Sequence, residues 1–193
     1  MMGILNVLVM LSTASALDTD MEASLYVGTA WQTARFRYNI HPRVSLDTEL
    51  QVASFLRWQP SIGVTAVWLD GGYQLRGTLL GGWLYEDSAS PWNGPSAEAR
   101  VVLSRMKGLV RPWLQLGSKH SIGYLRSNIE TAEKTLVEDT LQTEWTLTGV
   151  MGLSVNISNG VEAGLGIDFP WVRYPEISIP GFHIFAVYRA ERK

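Results

Sequence analysis

The chain has 193 residues, a formal net charge of −2 and no cysteine. This length suits one domain. The near-neutral charge argues against a strongly basic surface of the kind that binds nucleic acids. The absence of cysteine excludes disulfide bonds, thiol catalysis and cysteine-based zinc sites. No cofactor is expected, and no metal site is expected because none of the three histidines stands at metal-ligand spacing from another.

A short apolar run begins the chain at residues 4–16 and ends in Ala14-Ser15-Ala16. A small-x-small ending is typical of signal-peptidase sites, and the run is too short to cross a bilayer as a helix. We therefore predict a cleaved signal peptide at 1–16 and a single β-barrel domain at 17–193. The stretch Met1–Gly3 carries no Lys or Arg, which leaves a buried N-terminal strand or helix of a cytoplasmic protein as the alternative.

Apolar residues then recur at every second position, which is the period of a β-strand with one apolar and one polar face. The first segment runs to Trp31, after which the apolar positions shift phase to Phe36, Tyr38 and Ile40. A phase shift indicates a turn or a bulge. We place a turn at 32–34 and a second one at 39–42.

The clearest alternation lies in residues 43–58. Its even positions are mostly apolar, whereas its odd positions include Asp47, Glu49 and Gln51. The stretch at 59–61, which contains Pro60, is predicted to end this strand because proline cannot donate to the hydrogen-bond ladder.

The rest of the chain repeats the pattern between connections of two kinds. Short turns are predicted at 70–72, 107–108 and 158–160, and long polar loops at 86–95, 119–139 and 170–180. Short turns on one side and long loops on the other are typical of outer-membrane barrels. The prediction is an all-β, antiparallel up-and-down transmembrane β-barrel of ten strands with both ends on the short-turn side; eight strands are the alternative.

Aromatic residues indicate which face meets lipid. The following lie on the apolar face near predicted strand ends: Trp31, Trp58, Trp68, Trp83 and Tyr188. Membrane barrels carry such aromatic girdles at the two interfaces. A soluble lipocalin-like barrel, with its apolar face turned inward around a lipid ligand, is the alternative.

Charged and polar residues of the opposite face are then expected in the lumen. They are Asp47, Glu49, Gln51, Arg76, Glu98, Arg100, Arg111 and Glu144. An Arg facing lipid at the membrane midplane would cost about 2–4 kcal/mol, so the inward assignment follows from the fold. Paired opposite charges predict a polar network that plugs the lumen; a narrow pathway for ions or small solutes is the alternative.

In architecture, residues 17–189 resemble the small outer-membrane β-barrel proteins of Gram-negative bacteria, of the OmpX-like and OmpA-barrel-like kinds. The resemblance implies residence in the cell outer membrane with both termini in the periplasm. It also implies insertion by the barrel-assembly machinery and contact with outer-membrane lipids including lipopolysaccharide. The implied role is structural, adhesive or another surface interaction, and no nucleic acid is expected as a partner.

One segment, Ser118-Lys119-His120-Ser121, is faintly similar to the lipid-A-deacylating barrels of the PagL-like kind. His120 as general base and Ser121 as nucleophile would need an orienting carboxylate such as Glu130 or Glu133. The segment does not reproduce the spacing of those enzymes, and an ordinary loop histidine is the other interpretation. A lipid-A-modifying hydrolase is therefore only an alternative function, and no catalytic role is assigned.

Overall fold

The computed structural model describes residues 21–28, 32–53, 57–86, 92–130, 135–158, 160–172 and 181–190. These residues form ten strands: β1 Met21–Gly28, β2 Gln32–His41, β3 Val44–Ala53, β4 Arg57–Leu69, β5 Tyr73–Glu86, β6 Trp92–Arg105, β7 Val110–Glu130, β8 Thr135–Ser158, β9 Val161–Val172 and β10 Gly181–Ala190. Each strand pairs with its neighbour in sequence, and β10 pairs with β1, so the sheet closes into a barrel. The predicted ten-stranded antiparallel barrel is confirmed, and the eight-stranded alternative is wrong.

In this part of the chain no helix is long and apolar enough to cross a membrane. The predicted signal peptide at residues 1–16 lies outside the described residues, as does Trp31.

Side-chain burial follows the predicted alternation. In β3 the side chains of Asp47 and Glu49 are buried, whereas Leu46 and Leu50 are 42% and 43% exposed. In a closed barrel the buried face is the lumen and the exposed face is the outer wall. The polar side chains therefore line the lumen, which is the reverse of a soluble lipocalin-like barrel.

The closing pair of strands defines the two ends of the barrel. Residues Met21 to Gly28 of β1 pair in register with Ala190 to His183 of β10. Because the strand number is even, the start of β1 and the end of β10 lie at the same end, which we call the terminus end. The turns at 42–43, 70–72 and 106–109 and Gly160 lie there, and the other strand ends lie at the opposite end, which we call the loop end.

Two predicted turns are displaced. Strand β2 already begins at Gln32, so the predicted turn at 32–34 is wrong, and the break at 59–61 is wrong because β4 runs from Arg57 through Pro60. Pro60 pairs with Leu50 of β3, but the ladder between β4 and β5 skips from Trp58 to Ser61. The missing N–H of proline thus interrupts one ladder locally instead of ending the strand.

The predicted long loops are shorter than expected. Strands β7 and β8 stay paired as far as Glu130 and Thr135, so most of the predicted loop at 119–139 is strand. Likewise β5 extends to Glu86, β6 begins at Trp92 and β9 extends to Val172. Backbone hydrogen bonds extend a hairpin whether its side chains are polar or apolar, so polarity alone is a poor guide to the end of a strand.

A short connection joins β8 to β9 at the terminus end. Gly160 has a φ of 79°, in the left-handed region that favours glycine, and its carbonyl accepts a hydrogen bond from the Arg189 N–H at 2.7 Å. This contact joins the β8–β9 turn to β10, beside the point where the barrel closes.

Gly160→Ala is therefore expected to lower the free energy of unfolding by roughly 1–2 kcal/mol, because a Cβ is strained at this φ and would meet the Arg189 carbonyl. Gly71→Ala is the matched control, since that turn glycine has open space around it. Urea unfolding in detergent, followed by tryptophan fluorescence, measures both. Equal unfolding midpoints for the two variants would contradict the strained turn.

Candidate functional site in the barrel lumen

The middle of the lumen is occupied by an ion-pair network centred on Glu49, which we call the central network. The two terminal nitrogens of Arg100, Nη1 and Nη2, each donate to a Glu49 carboxylate oxygen at 2.7 Å. Arg35 Nη2 lies 2.7 Å from Glu49 Oε2. Glu98 pairs with the other side of Arg100, and Gln51 Nε2 donates to Glu49 Oε1 at 2.6 Å. All five side chains are buried.

Strand register explains how this network assembles. Arg35 of β2 stands directly opposite Glu49 of β3, so the two residues face the lumen side by side. Arg100 reaches the same carboxylate from β6, across the lumen. The network therefore ties together strands that are not neighbours in the sheet.

A second group of polar side chains lies nearer the terminus end. Arg37 Nε donates to Asp47 at 2.8 Å, and Thr65 donates its hydroxyl to the same carboxylate. Glu22 accepts from Arg37 Nη1 at 3.2 Å and from Arg189 Nε at 3.0 Å. Glu22 thus joins β1, β2 and β10 at the closure of the barrel.

The opposite wall of the lumen is aromatic. The Phe185 ring lies 5.4 Å from Tyr26 and 5.6 Å from Trp113 between ring centroids. His183 lies 5.8 Å from Trp113. These rings from β1, β7 and β10 fill lumen volume that the ion pairs do not occupy.

Two cavities remain in the lumen. The loop-end cavity has a volume of about 340 Å³ and the terminus-end cavity about 80 Å³. Five residues line both of them: Tyr26, Arg35, Arg100, Trp113 and Gln115. We call these five residues the constriction. The Arg35 guanidinium carbon lies 6.0 Å from the centre of the Tyr26 ring, so a cation–π contact joins the charged and aromatic walls there.

The structure does not bring the eight predicted lumen residues into one network. Four of them, Glu49, Gln51, Glu98 and Arg100, belong to the central network, and Asp47 pairs with Arg37. Glu144 instead pairs with Arg57 at 2.7 Å beside the loop-end cavity. Arg76 and Arg111 line the terminus-end cavity, away from the central network.

Sequence reasoning missed several partners that complete these groups: Glu22, Arg35, Arg37, Arg57, Glu162 and Arg189. It also missed the aromatic wall around Trp113 and Phe185. Their positions on the polar phase of each strand are a usable signal. For Glu22, Arg35 and Arg37 the uncertain turn before β2 obscures which phase points inward.

Exposed aromatic side chains lie near both ends of the outer wall. Near the loop end, Trp58 is exposed and stacks on Tyr85 at 4.2 Å, with Trp83 close by at 6.4 Å from Tyr85. Near the terminus end, Trp68 and Tyr73 are exposed. Tyr188 is half-buried near the end of β10, beside Ala23 and Val161.

His120 and Ser121 are neighbours in β7, not in a loop, and they point to opposite faces of the sheet. His120 is exposed, whereas Ser121 is buried and lines the loop-end cavity. This arrangement separates the general base from the nucleophile that a hydrolase would need in one site. Among the described residues no group of three or more His, Asp or Glu is placed to hold a metal ion.

No protein-family model matches this chain, and no curated protein matches it. Three similar solved structures each match 89% of it. The N-terminal β-barrel domain of OprF from Pseudomonas aeruginosa is 13% identical, with 96% of that chain covered and a TM-score of 0.38. The KdgM porin, solved with a disordered oligogalacturonate, is 10% identical, with 99% covered and a TM-score of 0.44. Omp33 from Acinetobacter baumannii is 6% identical, with 98% covered and a TM-score of 0.44. The likeness concerns the fold alone.

Glu49→Gln is expected to lower the free energy of unfolding by about 3–5 kcal/mol, because it leaves the buried Arg35 and Arg100 without their shared carboxylate. Glu86→Gln is the matched control, because Glu86 and its partner Arg57 are each about a quarter exposed, and its loss should cost about 1 kcal/mol or less. Urea unfolding of the two variants in one detergent compares them directly. A Glu49 variant as stable as the Glu86 variant would contradict the structural importance of the central network.

Proposed function

We propose that this chain is an integral outer-membrane β-barrel with a structural or surface-interaction role and a lumen closed by side chains. The apolar outer wall supports membrane insertion, because exposed side chains such as Ile62, Leu79 and Leu165 are stable in lipid and costly in water. Closure of the sheet gives each of the ten described strands two neighbours, which satisfies its backbone hydrogen bonds within the barrel wall, as the hydrocarbon core demands.

The aromatic side chains near both ends of the outer wall support the same proposal. Trp58 and Trp83 lie near one end, and Trp68 and Tyr73 near the other. Tryptophan and tyrosine favour the two membrane–water interfaces, where an apolar ring and a polar atom are both satisfied. The apolar surface between them is then the part that contacts lipid.

In this proposal the terminus end faces the periplasm and the loop end faces outward, as the resemblance to small outer-membrane barrels implies. The barrel-assembly machinery inserts the chain, and lipopolysaccharide contacts the outer half of its wall. The β7–β8 hairpin, whose strands have 21 and 24 residues, is the longest and extends farthest at the loop end. It is the part of the barrel best placed to meet a partner at the cell surface.

The observation that carries the closed lumen is the constriction. Arg35 and Arg100 stand there, each held by Glu49, and Tyr26 and Trp113 stand across from them. The hydrogen bonds of a buried bidentate arginine–carboxylate pair are short and directional, and separating the pair would leave an unpaired charge in the interior. The network therefore acts as a fixed barrier between the two cavities.

A narrow channel is the second candidate function, and the paired cavities favour it. They lie on the two sides of the constriction and share its five residues, so a rearrangement there would connect about 340 Å³ with about 80 Å³ of lumen. Ions or small solutes would be the cargo, because the path is lined by charged and polar side chains.

Membrane integration is tested by fractionating cells that express the intact chain. The protein is expected in the outer-membrane fraction, resistant to alkaline carbonate and released by detergent, because its outer wall is apolar. Recovery in the soluble fraction without detergent would contradict the proposal.

Conductance in planar bilayers distinguishes the closed barrel from the channel. The wild-type protein is expected to show no discrete conductance steps, and the double variant Arg35→Ala/Glu49→Ala is expected to show them. This variant removes both members of one pair, so it widens the constriction without stranding a charge, and Arg100 keeps Glu98.

Arg57→Ala/Glu144→Ala is the control, since it removes a pair beside the loop-end cavity but outside the constriction. It should stay silent in the bilayer like the wild type. Steps from the wild type that change in the Arg35/Glu49 variant would instead establish the channel.

A further inference from the structure

We infer that the terminus-end cavity binds a small oxyanion, of which a phosphate group is the best fit. This inference goes beyond the structural role proposed above, because it concerns a ligand site and is independent of whether the lumen conducts. Three features of the cavity carry it: an excess of arginine, a buried guanidinium nitrogen without an acceptor, and a size that suits one tetrahedral anion.

The lining of this cavity contains seven arginines and two glutamates. The two glutamates are already engaged, because Glu22 accepts from Arg37 and Arg189 and Glu162 accepts from Arg189 at 2.7 Å. Arg35 and Arg100 are held by the carboxylates of the central network. The two carboxylates of this cavity are thus committed to Arg37 and Arg189.

Arg76 is one of the cavity arginines with no ion pair in the described part of the chain. Its Nε is buried and has no hydrogen-bond acceptor. Arg111 lines the same cavity and likewise has no ion pair among the described residues; its Nε donates to the Gly108 carbonyl at 3.4 Å. A buried donor left without an acceptor costs about 1–3 kcal/mol, and more when it is charged, so the protein gains from an anion that meets it.

The chemistry and size of the cavity select the anion. A guanidinium presents a planar fork of N–H donors that matches the paired oxygens of phosphate or carboxylate. A volume of about 80 Å³ is between two and three times the share of one water molecule in the liquid, about 30 Å³. It accommodates a phosphate-sized group, whereas a nucleotide or an oligosaccharide is too large. Both free phosphate and the phosphate of a lipid headgroup supply this chemistry.

The test is thermal unfolding of the full chain, purified in a maltoside detergent that contains no phosphate. Inorganic phosphate should raise the unfolding midpoint in a saturable way, because a ligand that binds only the folded state stabilises it. Sodium chloride at equal ionic strength should not. Glycerol phosphate, which has a headgroup phosphate but no acyl chain, is titrated in parallel.

Arg76→Gln should weaken the apparent phosphate affinity at least about tenfold, as expected for the loss of one charge-assisted interaction. Without phosphate this variant should be as stable as the wild type or more so, because it removes a buried charged group that has no ion pair among the described residues. Arg43→Gln is the matched control: Arg43 lies in the turn between β2 and β3 at the same end but does not line the cavity, and it should keep the full response.

Saturable stabilisation by phosphate alone would identify a site for a free solute, and stabilisation by glycerol phosphate as well would extend it to lipid headgroups. Either result supports the site if Arg76→Gln loses it. A response to phosphate no larger than to chloride, or an equal response in Arg76→Gln and the wild type, would overturn the inference.

Discussion

The hydrogen bonding of β1 to β10 is the constraint on which the rest of the structure depends. Once these strands pair from Met21 to Gly28, every backbone donor and acceptor along the closing seam is satisfied within the sheet. Closure also fixes each strand side chain on one of two faces, the lumen or the outer wall. Because the period of a strand is two, a charged residue on the inward phase has only the lumen in which to find a partner.

The central network shows how the lumen satisfies that requirement. Arg35 and Glu49 are register neighbours, so strand pairing alone brings them together. Arg100 arrives from β6, and its two contacts with Glu49 depend on the curvature of the whole barrel. A buried pair of this kind does not by itself raise stability much over an apolar pair, but its loss is costly. The network is therefore better understood as fixing the cross-section of the lumen than as the main source of stability.

Alternating polarity was enough to predict the strands, their number and the face of residues such as Asp47 and Glu49. Two features escaped it for physical reasons. The predicted boundary before β4 is misplaced because Pro60 breaks only one of its two ladders. The predicted loop at 119–139 is mostly the outer part of the β7–β8 hairpin, because backbone pairing there does not depend on side-chain polarity. The alternation of residues along a strand does not show which ladder a proline interrupts or how far a hairpin stays paired.

The pairing of charges across the lumen was also out of reach of the sequence. Alternation places both Glu144 and Arg76 inward, yet Glu144 is held by Arg57 near the loop end, whereas Arg76 lines a cavity whose two glutamates are engaged with other arginines. Which of these outcomes applies depends on how far along its strand each residue lies and on which strand stands across the barrel. Strand tilt and register set that distance, and the alternation along a single strand carries no information on either.

The two ends of the lumen consequently differ in chemistry. If the lumen side chains only filled space, each charged group would be expected to pair with an opposite charge. The central network and the pair of Glu22 with Arg37 follow this pattern. The terminus end departs from this pattern, since Arg76 and Arg111 share a cavity whose glutamates are engaged elsewhere. A centre neutralised by ion pairs beside an under-neutralised end suits the closed barrel that we propose, and it leaves a positively charged recess at the terminus end. The barrier and the recess are compatible because Arg35 and Arg100 belong to both: they line the recess, while Glu49 fixes them in the barrier.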